Sequence, residues 1–375
     1  MSQILDYLQS QQSAMNEMLA QWVNQDSPTY HKDVVDKMGQ MTMQAFLEAG
    51  VTLATTHTQP KYGDHYTMHY GEGGSQILIL CHFDTVWALG EATRRPFTIE
   101  NGIGYGPGTY DMKAGTLIAL FALKALHHLG LKPRHKLVYM LTADEEISSP
   151  TSRPLIEAEG RQSNYCLVLE GSVNHSMTTA RKGIGRFTMH ITGKAAHAGV
   201  EPQKGVSAIE ELARQIQALH AMTDHTKGVT VNVGVISGGE RPNIVAPHAS
   251  AEIDLRIVTQ ADAKAYCQKI LSLQPFLEGC QLEVLGSITR WPFEETEANL
   301  ALFEQAKLIS EQLGMPTNHR QSGGGSDGNF TAALGVPTLD GLGAIGGGAH
   351  ALTEHVVLEY LPKRAALLAE LIMRL

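Results

Sequence analysis

Three short, mainly apolar segments, each ending on a histidine or a carboxylate, constrain this chain more than any other feature. "ILIL" (77–80) runs through Cys81 into His82 and Asp84, "KLVYMLT" (136–142) runs into "ADEE", and "CLVL" (166–169) ends on Glu170. An apolar run without alternation marks a strand covered on both faces. Between the first two lies "MKAGTLIALFALKALHHLG", which predicts a helix of about five turns stopped by Gly130. Strands alternating with helices imply a mostly parallel sheet, and such sheets present ligands at the carboxyl ends of their strands. The predicted fold class is α/β, with helices on both faces of that sheet.

Residues 1–25 read as one helix, and 26–50 as a turn, an N-cap and a second helix ending at Gly50. Near residue 180 the pattern changes. "RFTMHIT", a helix over 206–222, "VTVNVGVI", "SAEIDLRIV", a helix over 261–273 and "QLEVLGSI" follow in β-α-β-β-α-β order, which is ferredoxin-like. In "AEIDLRI" the apolar Ala251, Ile253, Leu255 and Ile257 alternate with Glu252, Asp254 and Arg256, giving one dry and one wet face. Residues 180–290 are therefore expected to form an inserted α+β domain, with 1–179 and 291–375 making the domain that carries the strand ends. A helix over 297–313, a glycine-rich loop, a strand near "GVPTL" and a closing helix from Glu359 complete the chain.

The strand ends gather His82, Asp84, Glu145, Glu146 and Glu170; Asp111 follows the glycine-rich "YGPGTY", and His350 lies in "GGGAHALTEH". So many carboxylates on one edge repel one another unless a cation sits among them. Imidazole and carboxylate ligands suit zinc, with cobalt or manganese as alternatives. Two ions need two histidines and three carboxylates if one carboxylate bridges. His82 and Glu170 would hold one ion, Glu146 and His350 the other, and Asp111 would bridge. Asp84 is then free to accept from the second nitrogen of His82, since residues two apart on a strand share a face. Glu145 is left to take a proton from the attacking water, a role that adds on the order of 10² to 10⁴ in rate. A lone His–x–Asp or a lone acidic triplet is usually an ordinary turn; three successive strand ends of this kind make the pattern.

The totals narrow the class further. The 375 residues suffice for two domains, and 43% hydrophobic with 18% charged residues is ordinary for a globular core. A net charge of −9 disfavours a nucleic-acid partner. The longest apolar run, Ala114 to Leu123, stops at Lys124, too short for a bilayer, so no membrane association is expected. "MSQILDYLQSQQ" has no basic segment followed by an apolar one, and Cys81, Cys166, Cys267 and Cys280 have no metal or redox spacing; a reducing cytoplasm is the expected location. "SGGGSDG" (322–328) fits a dinucleotide-loop pattern, but no acidic residue lies about 20 positions on in a following strand, so it reads as a tight turn near the site.

Taken in order, "CHFDTVW", "GPGTYDMKAG", "TADEE", "CLVLE", "KAAHAG", "RQSGGGSDGNF" and "GGGAHALTEH" resemble the co-catalytic zinc exopeptidase and deacylase family, which includes glutamate carboxypeptidases, acetylornithine deacetylases, succinyl-diaminopimelate desuccinylases and aminoacylases. The resemblance runs from Ser27 to the last helix and is closest to the glutamate carboxypeptidases, through "HFDTVW", Pro96–Phe97 and "SGGGSD". It implies the same metal and base positions argued above, a cis peptide between Asp111 and Met112, and two zinc ions per subunit. It also implies a homodimer formed through the inserted domain, in which His197 of "HAG" stabilises an oxyanion in the partner's site. Asn243 of "RPNIVAP" and Arg256 match residues that grip the substrate's free carboxylate, as a guanidinium can do in bidentate fashion. For Arg256 a salt bridge to Glu252 or Asp254 is the competing role. The implied activity is removal of a C-terminal amino acid, glutamate being one possibility, from a small peptide or N-acyl substrate; N-acyl amino acid deacylation is the first alternative, and a non-catalytic binding protein of the same fold ranks behind it. Cys81 and Ala88 depart from the usual small residue and proline of the family beside the ligands.

Overall fold

In the computed structural model, which describes residues 3–375, the strand Gln76–His82 buries all seven of its residues. It lies inside a six-stranded sheet whose order is Leu53–His57, His65–Tyr70, Lys136–Thr142, Gln76–His82, Ser163–Val168 and Thr338–Leu339. The last four strands are mutually parallel, and the first two join antiparallel at one edge. Alternate residues of the central strand feed two cores. Ile77, Ile79 and Cys81 pack with the helices Ala114–His128 and Leu361–Arg374, while Leu78 and Leu80 pack with Ile156 and Phe330 of Arg153–Gly160 and Gly328–Ala333. Each such buried aliphatic side chain contributes about 1.5–3 kcal/mol. With neither face open to water, polar groups can appear only where the strand stops.

A second, small sheet of Gly346–Gly347, His355–Val357, Ile103–Tyr105 and Thr98–Glu100 lies in the same unit. The segments leaving it carry Asp111 on one side and His350 on the other. The helix expected over 1–25 is broken at Gln11 into Gln3–Ser10 and Gln12–Val23, where Ser10, Gln11, Gln12 and Ser13 offer no apolar side chain to hold one continuous face down. The strand near "GVPTL" is only the pair Thr338–Leu339.

The chain divides into two units. The first contains the residues up to Ala180 with Glu295–Gln321 and Ser326–Leu375; the second is Arg181–Glu294 with Ser322–Gly325. The sequence reading put 322–325 with the first unit. The structure instead joins them to the second, where Ser322 accepts from the Lys182 amide, and Gly325 lies so close to Arg290 that a Cβ would stand 2.9 Å from its Cδ. In the second unit Thr230–Gly238, His248–Ile257, Gly183–Thr192 and Gln281–Arg290 form an antiparallel sheet in that order. The helices Ala208–His220 and Gln260–Leu271 start at Ser207 and Thr259, whose hydroxyls accept from Glu210 and Asp262 amides. Ala249, Ala251, Ile253, Leu255 and Ile257 face this core. Among the described residues no helix is long and apolar enough to cross a membrane. All four cysteines are free, and three of them, Cys81, Cys166 and Cys280, are buried.

Candidate metal centre

His82 is the last residue of its strand and is 1% exposed; Asp84 follows, fully buried. Glu145 and Glu146 open a single 3₁₀ turn, Glu145–Ile147, just beyond the strand Lys136–Thr142. Glu170 lies two residues past the strand Ser163–Val168. Its backbone is seated by two glycines: a Cβ on Gly115 would stand 2.0 Å from the Leu169 carbonyl oxygen, and one on Gly343 would stand 2.1 Å from the same atom. No larger residue permits that approach. Asp111 precedes the helix Ala114–His128, and the Asp111–Met112 peptide is cis. His350 sits in the turn between Gly346–Gly347 and His355–Val357 with φ of +60°, a conformation rare for a side-chain-bearing residue.

These groups converge. Asp111 turns its two oxygens to two different imidazoles: Oδ1 lies 3.1 Å from His82 Nε2 and Oδ2 lies 3.1 Å from His350 Nε2. Glu170 Oε1 is 3.6 Å from His82 Nε2, and Glu146 Oε2 is 3.2 Å from His350 Nε2. Donor atoms of His82, Asp111 and Glu146 lie within 4.8 Å of one another, as do those of His82, Glu145 and Glu170. Glu145 therefore reaches the donor atoms on the His82–Glu170 side.

Asp84 acts differently from expectation. His82 Nδ1 lies 3.0 Å from the Asp84 main-chain oxygen, whereas the carboxylate is 3.5 Å away. That carboxylate instead accepts from the Glu145 amide (3.2 Å), the Glu146 amide (3.3 Å) and the Thr29 hydroxyl (2.8 Å). The same residue thus orients the imidazole with its backbone and the acidic turn with its side chain, because a buried carboxylate takes the nearest N–H donors.

Burial and close contact set the charges of these groups against one another. Burial works against a charged His82, yet the Asp111 carboxylate bonded to it and the nearby Asp84 and Glu170 carboxylates outweigh that and hold the imidazole well above its ordinary value. His350 is pushed up to about 10 by its hydrogen bonds to Asp111 and then Glu146. Burial, with the Asp111 charge beside it, pushes Glu146 up to about 7. Burial works to raise Asp111 as well, but the two imidazoles hold it below the usual carboxylate range. Glu146 Oε1 is buried with no hydrogen-bond partner, a costly state for a carboxylate oxygen unless a cation meets it. The donor set of imidazole nitrogens and carboxylate oxygens, with that orphaned atom, fits a pair of divalent ions.

His197, Asn243 and Arg256 lie in the second unit. The first two come together: the Ala198 amide donates to the Asn243 carbonyl at 3.0 Å, His197 bridges Ile244, and both side chains are exposed. Arg256 binds Asp254 through two nitrogens at 2.9 and 3.2 Å, the salt bridge that competed with a substrate role. Arg290 is 2% exposed. Sequence reasoning passed over Glu354, fully buried and accepting four N–H groups, and Asp144, also fully buried, which binds the amides and hydroxyls of Thr151 and Ser152 and so fixes the chain beyond the acidic turn. Glu354 stood four residues after His350 in a motif already singled out; its burial was the missing signal.

Comparison with known proteins agrees with this architecture. Residues 78–374 match the model of peptidase family M20/M25/M40. Carboxypeptidase G2 of Pseudomonas sp. (strain RS-16) is 30% identical over 311 residues, covering 81% of this chain and 75% of that protein. Acetylornithine deacetylase of Edwardsiella ictaluri is 30% identical over 203 residues, covering 50% of this chain and 52% of that one. Among solved structures, aminopeptidase PepT of Bacillus cereus shares the fold with a TM-score of 0.76 at 23% identity, covering 96% of this chain and 98% of its own. The chain belongs to peptidase family M20/M25/M40 and is a metal-dependent hydrolase.

Proposed function

We propose that this protein is a two-zinc hydrolase that removes a C-terminal amino acid, glutamate among the candidates, from a small peptide or N-acyl substrate. The observation that carries the reading is Asp111, whose two carboxylate oxygens each face a separate imidazole at 3.1 Å, the disposition of a bridging ligand. His82 and Glu170 would complete one ion's protein ligands, Glu146 and His350 the other's. Bound divalent ions supply Lewis-acid activation of water and of the amide carbonyl. Glu145, its amide fixed by Asp84, takes the proton of the attacking water and hands it to the leaving nitrogen. Arg256 and Asn243 anchor the carboxylate of the released residue, which enforces cleavage at the chain end. His197 steadies the oxyanion in a partner subunit of a homodimer formed through the second unit. These last three roles rest on the family motifs around them.

The similarity to carboxypeptidase G2 over 81% of the chain supports the exopeptidase reading. The shorter match to acetylornithine deacetylase supports deacylation as the second reading, since the bond chemistry is the same and only the side-chain pocket differs. Metal content per chain, combined with a panel of folate-like, aspartyl- and glutamyl-terminated peptides against N-acetyl amino acids, separates them. The expected result is two ions and preference for the glutamyl or folate-like compounds. Full activity in chelator-stripped protein, unchanged by added zinc, overturns the reading.

A further inference from the structure

Glu354 is a fully buried carboxylate beside the metal centre that accepts four N–H groups. Its Oε2 accepts from Trp87 Nε1 at 2.9 Å and from the Gly108 amide at 2.8 Å; its Oε1 accepts from the Tyr110 amide at 2.9 Å and the Asp111 amide at 3.0 Å. Three of these donors belong to the loop that delivers Asp111. Glu354 itself ends the turn that delivers His350, and its own amide donates to Ala351 in that turn. The two loops leave neighbouring strands of the small sheet, where His355 pairs with Tyr105. Gly108 reaches Glu354 only because it is glycine: its φ is +71°, and a Cβ there would stand 2.5 Å from Thr85 Cγ2.

A side-chain stack adds to the arrangement. The Arg95 guanidinium stacks on Trp87 with its central carbon 4.3 Å from the ring centroid. The same guanidinium binds Glu91 at 2.5 Å and donates to the Leu352 carbonyl in the His350 turn at 3.0 Å. Trp87 is thereby held by a cation over its ring and by Glu354 at its Nε1.

We propose that Glu354 is a positioning residue of the metal centre, a buried clamp that locks the Asp111 loop to the His350 turn so that the bridging carboxylate and the second imidazole are presented as one preformed unit. This rests on the reading that Asp111 and His350 hold ions. Each ion site shares Asp111, so a loosened clamp weakens both ions together. Partners that orient metal ligands affect affinity by about 10- to 100-fold when removed.

The test is zinc binding by metal-stripped, full-length protein, measured by equilibrium dialysis and titration calorimetry, with thermal melts of the metal-free forms alongside. Glu354→Gln keeps shape but replaces one accepting oxygen with an amide that faces two N–H donors. It is expected to bind both zinc ions about 10- to 100-fold more weakly per folded molecule. A merely structural role would lower the metal-free melting temperature and leave the affinity of the folded fraction unmoved, which overturns the proposal. Should Glu354→Gln not fold, Trp87→Phe removes one donor and keeps the carboxylate: a smaller loss of affinity in the same direction supports the clamp, and wild-type affinity overturns it. Wild-type protein that takes up no zinc sinks the metal reading and the clamp together, whereas two ions in wild type and two equally tight ions in Glu354→Gln sink the clamp alone.

Discussion

The strands Gln76–His82 and His248–Ile257 belong to different units and obey different rules. The first is covered on both faces and buries every residue. The second alternates, with Ala249, Ala251, Ile253, Leu255 and Ile257 inward and Ser250, Glu252, Asp254 and Arg256 on the other face. A strand with no wet face has no structural use for polar groups until it ends, so the histidine and carboxylates at its carboxyl end stand out. On a half-wet strand a charged residue every second position is the default, and function there leaves no local mark.

The sharpest way to break that contrast is to remove the residue on which the first unit's cluster turns. Asp111→Ala is expected to lose both ions and all measurable activity together, because its oxygens face both imidazoles. Metal analysis of the purified variant checks it; retention of two ions would refute a shared bridging carboxylate. Glu145→Gln should do less and differ in kind. Turnover falls by about 10² to 10⁴ while metal content stays at the wild-type value. Loss of zinc with preserved turnover would exchange the roles of Glu145 and its neighbours.

Arg256 tests the other side of the comparison. It already holds Asp254 with two nitrogens, and that pair would satisfy a purely structural account. If it also binds substrate carboxylate, Arg256→Ala lowers kcat/KM by about 10- to 100-fold, as loss of charged hydrogen bonds does, with metal content unchanged. Arg256→Lys should recover little, since an ammonium lacks the planar fork. Unchanged kinetics in both variants would leave Arg256 as a partner of Asp254 alone.

How much could be read from the chain follows the same division. The parallel strands, their helices and the five residues gathered at their ends were visible, because full burial leaves an unbroken apolar run and a polar group past it is conspicuous. The strands Leu53–His57 and His65–Tyr70 were not seen: "LATTH" and "HYTMHY" carry too many polar side chains to resemble core strands, and pairing at the antiparallel edge is what orders them. The division of labour at Asp84 was half legible. Spacing put Asp84 beside His82, but only the folded backbone shows that its carboxylate faces the Glu145 and Glu146 amides instead. Glu354 and Asp144 were hidden for another reason. Their partners are mostly backbone amides, which every residue carries and no motif can display.

The smallest expected effect concerns protons, and it sharpens the account of the charged cluster. In metal-free protein His350 titrates at about 10 against 6.5 when unfolded, so its contribution to stability is fully present below 6.5 and is lost as pH rises through about 10. His82 is raised in the same sense. Glu146, raised to about 7 from 4.5, favours the folded state below 4.5 and loses that contribution as pH climbs through about 7. Asp111, held below the usual range, titrates on the acid side and does not enter this window. All three groups thus make the metal-free fold less stable between pH 5.5 and 7.5 as pH rises. Ions behave oppositely, because each must displace those protons. Each proton released raises metal affinity by about tenfold per pH unit. The gap in melting temperature between zinc-loaded and chelator-treated protein should therefore widen steadily from pH 5.5 to 7.5. A gap that is flat across the window would mean that the two imidazoles are not the groups giving up protons to the ions, and the convergence on Asp111 would then need another cause.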